Sequence, residues 1–281
     1  MKADLECLPC FLKQALEAAR MATDNEMVQR RVLDEVTKLL PSLSLDKTPP
    51  EISRGIHQLV REASGTEDPY RGVKEKYNRI ALSLYPELKD KVKASDDPLL
   101  FAIRVAIAGN IIDFGIGLDF DIDRDLDRVL GAEFAIFDYG EFKEALTRAK
   151  KVLYLADNAG EVVFDRVLIE CLDKEVIYAV KESPIINDAL TDDAKFCGID
   201  KVAEIISSGV DAPGTVLGLC SQEFLKYYND ADLIISKGQG NFEVLSDEPK
   251  PIFFLLIVKC SVVARYLGVK VRDIVLKKRS G

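Results

Sequence analysis

Asp157, Asn158 and Asp188 lie just beyond two apolar runs, and their side-chain oxygens suit a hard divalent cation such as Mg²⁺. Mg²⁺ commonly takes one or two carboxylates, keeps several waters and draws its other oxygens from a phosphorylated substrate. Glu161, four residues after Asp157, can orient or deprotonate a water. Lys237 and Lys259 also follow apolar runs and can neutralise phosphate oxygens, while Gly238 and Gly240 let backbone N–H groups approach them. Together these residue types point to metal-assisted handling of a phosphate.

The elements that must position them read as follows. Lys151–Ala156 is a strand and Glu161–Leu172 a helix, so Asp157-Asn158-Ala-Gly-Glu161 is a strand–turn–helix junction. Ligands of open α/β sheets sit past such strand ends, and the first helical N–H groups face an anion. Further strands are expected at Phe134–Phe137, Glu175–Val180, Val202–Ile206, Asp232–Ser236, Pro251–Val258 and Val269–Leu276. The intervening helices include Asn187–Phe196, Ser221–Tyr228 and Cys260–Leu267. Alternating strands and helices imply right-handed crossovers and a mainly parallel sheet covered on both faces, which puts the polar loops on one edge. Those loops are 157–161, 181–188, 207–214 (which contains Asp211) and 237–241. Lys237-Gly-Gln-Gly-Asn241 is not a nucleotide fingerprint, because it lacks the third glycine and the helix start of GxGxxG.

Upstream, about 115 residues read as helices. They cover Leu5–Met21, a second helix to Leu40, a third from Pro49 to about Glu62, a fourth from Asp68 to Leu84, and the apolar Pro98–Ala108. Gly109-Asn110-Ile-Ile-Asp113 reads either as a helix cap or as a segment that turns Asn110 and Asp113 toward the site. The acidic stretch Asp119–Asp127 lacks the central Gly and terminal Glu of an EF-hand and reads as a solvated linker and helix start. The expected organisation is an all-helical domain over 1–130 and a Rossmann-like α/β domain over 131–281.

Composition narrows the function classes. A net charge of −9 over 281 residues disfavours a nucleic-acid partner or an anionic membrane surface. No apolar run approaches a membrane span, and the charged start lacks a signal-peptide h-region, so a cytoplasmic protein is expected. One histidine, His57, in a helical pattern, leaves no room for a multi-His zinc site. Of six cysteines, four sit singly in apolar patterns as free thiols, and Cys7-x-x-Cys10 lacks the second pair of a zinc site. A structural role, packing or a local disulfide, is expected for Cys7 and Cys10. Oligomeric state is not encoded in these patterns.

Asp157-Asn-Ala-Gly-Glu161, Ile186-Asn-Asp188, Gly209-x-Asp211 and Lys237-Gly-Gln-Gly-Asn-Phe-Glu243 together resemble the damage-control phosphatases, the family first catalogued as domain of unknown function 89. Gly109-Asn-Ile-Ile-Asp113, Asp68-Pro-Tyr70 and Cys7-Leu-Pro-Cys10 extend the resemblance over nearly the whole chain, toward the short stand-alone prokaryotic or archaeal branch. The resemblance implies a helical domain beside a Rossmann-like one, and hydrolysis of phosphate monoesters with Mg²⁺, Mn²⁺, Co²⁺ or Ni²⁺. It assigns Asp157, Asn158 and Asp188 as metal ligands and puts Glu161 and Lys259 near the phosphate. Asn110, Asp113, Asp211, Lys237, Gly238, Gly240 and Asn241 then belong to the substrate or phosphate site. The implied substrates are sugar phosphates and damaged or side-product phosphometabolites. The expected mechanism is metal-activated attack of water, with Glu161 or Asp188 orienting it. A covalent aspartyl-phosphate at Asp157 is the alternative route, although Ala159 breaks the DxDx pattern of enzymes that use one. Two other readings compete: a non-catalytic metabolite-binding module, and an S-adenosylmethionine-dependent carboxyl methyltransferase for which no glycine-rich cofactor loop is evident.

Overall fold

The computed structural model describes residues 1–114 and 122–279, without the side chains of 112–114 and 122–125. Asp113 and part of the acidic stretch 119–127 therefore lie outside the described side chains. The chain opens with helices α1 (Cys7–Ala22), α2 (Glu26–Leu39), α3 (Pro49–Ser64), α4 (Arg71–Ala94), α5 (Pro98–Ala108) and α6 (Ile122–Leu130). Then come β1 (Phe134–Phe137), α7 (Tyr139–Arg148), β2 (Lys151–Leu155), α8 (Glu161–Leu172), β3 (Glu175–Val180), α9 (Thr191–Phe196) and β4 (Glu204–Ser207). The chain closes with α10 (Gln222–Asp230), β5 (Leu233–Lys237), α11 (Gly238–Leu245), β6 (Ile252–Ile257), α12 (Ser261–Leu267) and β7 (Ile274–Lys278). Among the described residues no helix is long and apolar enough to cross a membrane.

The strands form one sheet in the order β1-β7-β6-β5-β2-β3-β4, parallel except where β7 runs antiparallel to β6. From β2 the chain moves outward through β3 to β4, then returns to β5 on the other side of β2. The switch point of the sheet thus falls between β2 and β5, where α/β folds open a crevice past the strand ends. β2 alternates its buried residues between two cores. Val152 and Tyr154 join α4, α5 and α8 on one face, while Leu153 and Leu155 join α10 and α11 on the other. A strand buried on both faces must be apolar throughout, as this one is. Each fully buried large apolar side chain contributes roughly 1.5–3 kcal/mol. A third core holds α1, α2 and α3 together, so the helical segment is shared between that cluster and a layer on the sheet.

Local chemistry sets most element ends. Thr48 and Glu51 form a capping box at α3, Pro49 and Pro50 occupy its first turn, and Gly65 closes it in the left-handed conformation. Asp97 caps α5 by accepting from the Leu100 N–H.

Three expectations need correction. α4 continues to Ala94 through Pro86, since burying Leu88 and Val92 in the core offsets an interior proline's cost of about 3 kcal/mol. Residues 187–189 are not helical. Their backbone pairs with 157–159: the Ala159 N–H donates to Asn187 O at 2.8 Å, and the Ala189 N–H to Asp157 O at 2.8 Å. A helix does begin at Gly238, directly after β5 and without the spacing of a nucleotide-binding loop.

Candidate active site

The short antiparallel bridge between Asn158 and Asp188 brings the loops after β2 and β3 together. Asp157, Asn158 and Asp188 then line one cleft of about 350 Å³ with Gln239, Gly240, Glu243 and Lys259. Its opposite wall comes from the helical segment, through Cys7, Cys10, Phe11, Pro49 and Pro50. The cleft therefore has a polar floor at the sheet's switch point and a mixed helical wall, in which Phe11, Pro49 and Pro50 are apolar and Glu6, Gln14 and Ser53 polar.

Beneath that floor lies a second polar layer. Asn110 is buried and donates through Nδ2 to Asp157 Oδ2 at 3.1 Å and to Glu161 Oε2 at 2.8 Å. Asn158 Nδ2 donates to the same two oxygens at 3.0 and 3.2 Å, so its carbonyl oxygen is the atom left to present to a ligand. Glu161, fully buried at the first turn of α8, also accepts from Lys237 Nζ. That ammonium donates further to Asp165 Oδ1 at 2.6 Å and to Ala106 O at 2.7 Å. Tyr154 and Tyr178 are register partners on β2 and β3, and both hydroxyls donate to Asp165 at 2.7 Å.

The electrostatics of this layer follow from its burial. Two carboxylates share one ammonium, and hydroxyl and amide donors take up the excess negative charge. Burial pushes the Asp165 carboxyl up, against the pull of Lys237. Burial alone would discharge Lys237, but Asp165 and Glu161 outweigh it and hold the ammonium above its ordinary range. Both tyrosine hydroxyls are driven well above theirs, by burial first and by Asp165 second, so they remain donors.

Two glycines make the junction possible. Gly160 precedes α8 with φ +68°, and its N–H donates to Asn78 Oδ1 at 2.5 Å. Asn78 Nδ2 in turn donates to Asp193 Oδ1 at 2.8 Å, which ties α4 to the β2 turn and to α9. Gly238 has φ +77°, and a Cβ there would overlap the Asp157 carboxylate, so only glycine lets β5 end against that turn.

The expected residues divide by depth. Asp157, Asn158, Asp188, Gly240 and Lys259 line the cleft. Asn110, Glu161, Lys237 and Asn241 are buried outside its lining. All three N–H bonds of Lys237 are spent on protein acceptors, so a phosphate contact for Lys237 does not fit this placement. Glu161, enclosed by Asn110, Asn158 and Lys237, likewise supports the floor and does not face a cleft water. Asn241 Oδ1 accepts from Thr215 N and Oγ1, and its Nδ2 donates to Ala156 O and Lys237 O, which stitches the ends of β2 and β5 together. Asp211 stands apart, paired with Arg54 at 2.5 Å and Arg61 at 4.0 Å, and fastens α3 to the 207–214 loop.

Sequence reasoning missed Asp165, Tyr154, Tyr178, Asn78 and Gln239. A visible signal for Asp165 was its place four residues after Glu161, a second acid on one face of an apolar helix. Cys7 and Cys10 are free thiols, as are the other four cysteines.

Among the described residues no three His, Cys, Asp or Glu side chains gather closely enough to hold a metal by themselves. Two carboxylates and an amide carbonyl facing one cleft nevertheless fit a hard ion that takes its remaining oxygens from water and substrate. Lys181, buried 3.5 Å from Asp188, limits the negative charge that this trio concentrates.

Residues 3–275 match the family model of the damage-control phosphatase ARMT1-like domain. A damage-control phosphatase of Pyrococcus horikoshii is 38% identical over 96% of this chain and 95% of its own length. One of Archaeoglobus fulgidus is 36% identical over 99% of each. The crystal structure of a domain-of-unknown-function-89 protein from Pyrococcus horikoshii superposes with a TM-score of 0.90 at 36% identity, covering 100% of both chains. The chain therefore belongs to the damage-control phosphatase ARMT1-like family.

Proposed function

We propose that this protein is a divalent-metal-dependent phosphatase that hydrolyses small phosphate monoesters, sugar phosphates or damaged phosphometabolites, with water as the acceptor. The observation that carries the reading is the convergence of Asp157, Asn158, Asp188 and Lys259 on one cleft at the switch point of the sheet. Asp157, Asn158 and Asp188 hold the cation, which is Mg²⁺, Mn²⁺, Co²⁺ or Ni²⁺. When bound, it supplies Lewis-acid polarisation of the phosphoryl group. Lys259 offsets charge on the phosphoryl oxygens. Asn110 and Glu161 fix the floor that carries Asp157 and Asn158, which keeps the reacting groups in register. Asp188 orients the attacking water. The apolar side chains of Phe11, Pro49 and Pro50 limit water around the ester.

The test is phosphate release from p-nitrophenyl phosphate and from a panel of sugar phosphates with each of the four metals. Activity that requires metal and disappears in Asp157→Ala is expected. Binding of a phosphorylated metabolite without turnover under any metal would instead make the chain a binding module. Phosphate that becomes covalently attached to wild type, and not to Asp157→Asn, would replace direct water attack with an aspartyl-phosphate route.

A further inference from the structure

We propose that Glu243 is a further catalytic residue, the general acid whose carboxyl group gives its proton to the departing ester oxygen. This rests on the phosphatase reading above. Glu243 lies in the second turn of α11, and its side chain lines the same cleft as Asp157, Asp188 and Lys259 while the residue is only 8% exposed. Among the described residues the cleft has one other carboxyl besides these, Glu6, which is exposed and bound by Ser261 and Arg265. Those partners, Ser261 first, hold Glu6 below the ordinary carboxylate range, so it carries no proton to give. Asp157 and Asp188 are committed as oxygen donors to the cation. Among the described residues Glu243 is the carboxyl that remains.

Its setting is built. Among the described residues the Glu243 carboxyl has one hydrogen-bond partner, Gln239 Nε2 at 2.8 Å. Gln239 cannot turn over, because its Oε1 accepts the Lys259 backbone N–H at 2.8 Å. One carboxyl oxygen is thereby occupied as an acceptor, and the other is left to bear a proton and donate it. Burial pushes the carboxyl up to about 7, so both of its forms exist at neutral pH. The charges facing it are the Met1 ammonium and Lys259, which favour ionisation, and Asp157, which opposes it. The thiols of Cys7 and Cys10 face it from α1, and that of Cys260 faces it across Gln239.

In the step, water adds to phosphorus as the P–O ester bond breaks. The electron pair of that bond goes to the ester oxygen, which takes the Glu243 proton and leaves as the alcohol. The proton shed by the attacking water passes from the phosphate product to the Glu243 carboxylate. One water is consumed, and the enzyme ends in the protonation state in which it began.

Glu243→Gln and wild type are compared on two esters with the same metal. The phenolate of p-nitrophenyl phosphate leaves without a proton, whereas the alkoxide of an alkyl phosphate such as glycerol phosphate needs one. Glu243→Gln is expected to lose about 10²- to 10⁴-fold in kcat on the alkyl ester and less than about tenfold on the aryl ester. Wild-type kcat on the alkyl ester should fall as pH rises through the titration of Glu243, with no such fall on the aryl ester. Equal losses on both esters in a variant that melts like wild type would overturn the proposal. Should the variant melt early, the wild-type profiles decide, and the same alkaline fall on both esters would overturn it. A wild type that turns over neither ester with any metal removes the phosphatase reading itself, an outcome distinct from either of these.

Discussion

The floor of the cleft and the layer beneath it use the same residue types for different ends. Above, Asp157, Asn158, Asp188, Lys259 and Glu243 reach the cleft. Below, Glu161, Asp165 and Lys237 are sealed from solvent and hydrogen-bonded to Asn110, Tyr154 and Tyr178 or to one another. Both layers are dominated by acids with a lysine, yet only the upper one lines the cleft. Chemical type alone does not identify a catalytic group. What decides is whether the group lines the cleft or is sealed beneath it.

That contrast can be broken or sharpened by mutation. The largest effect is expected from Lys237→Met, which leaves Glu161 and Asp165 buried without their counter-charge. It should cost about 3–5 kcal/mol of stability, read by urea unfolding. Asp157→Asn should do the opposite. It should lower kcat by about a thousandfold, about 4 kcal/mol of barrier, while the unfolding free energy moves far less than in Lys237→Met. If the two variants shifted stability alike, the separation into layers would fail.

A buried group outside both layers supplies the control. His57 is buried in α3, and its Nε2 has no hydrogen-bond partner among the described residues. Burial first, and Arg61 second, depress its pKa from 6.5 to about 4. The unfolded chain therefore takes up a proton near pH 6.5 that the folded chain refuses until about pH 4. The stability this group contributes is present above the upper value and lost as pH falls toward the lower, by up to about 3 kcal/mol. His57→Leu should flatten that limb relative to wild type in unfolding curves at successive pH values. The contrast with Lys237 is that one buried base keeps its proton because it has partners, and the other loses it for want of them. The smallest effect is expected from Asn110→Leu, which removes the link between the layers. A fall of about 10- to 100-fold in metal affinity or kcat is expected, with KM nearly unchanged. An unaltered kcat and metal affinity would mean that the lower layer does not position the upper one.

Much of the frame was legible along the chain. The limits of α5 and α8 follow from periodicity and from the Asp97 and Gly160 junctions, and the Asp157–Glu161 turn announces itself by composition. The layers were not legible. Glu161 and Asp165 meet Lys237 across more than seventy residues of chain, and nothing local to Lys237 says that its side chain turns inward. The expected helix over 187–196 forms only from Thr191 to Phe196, because the backbone of 187–189 is claimed by the turn after β2. The helix at Gly238 was obscured by two glycines, which lower helix propensity but here allow the close approach to Asp157.

Taken by itself, the sequence determined the alternation of strands and helices, the strand ends that carry polar loops, and the resemblance that named a phosphate chemistry. These rest on interactions within a few residues, where periodicity and turn chemistry act. The tertiary structure alone decided that β2 and β5 are neighbours, that Asp188 pairs back onto Asn158, and that Lys237 points down while Glu243 faces the cleft. Those outcomes depend on which distant groups compete for each donor and acceptor once water is excluded, a competition that exists only after the chain has packed.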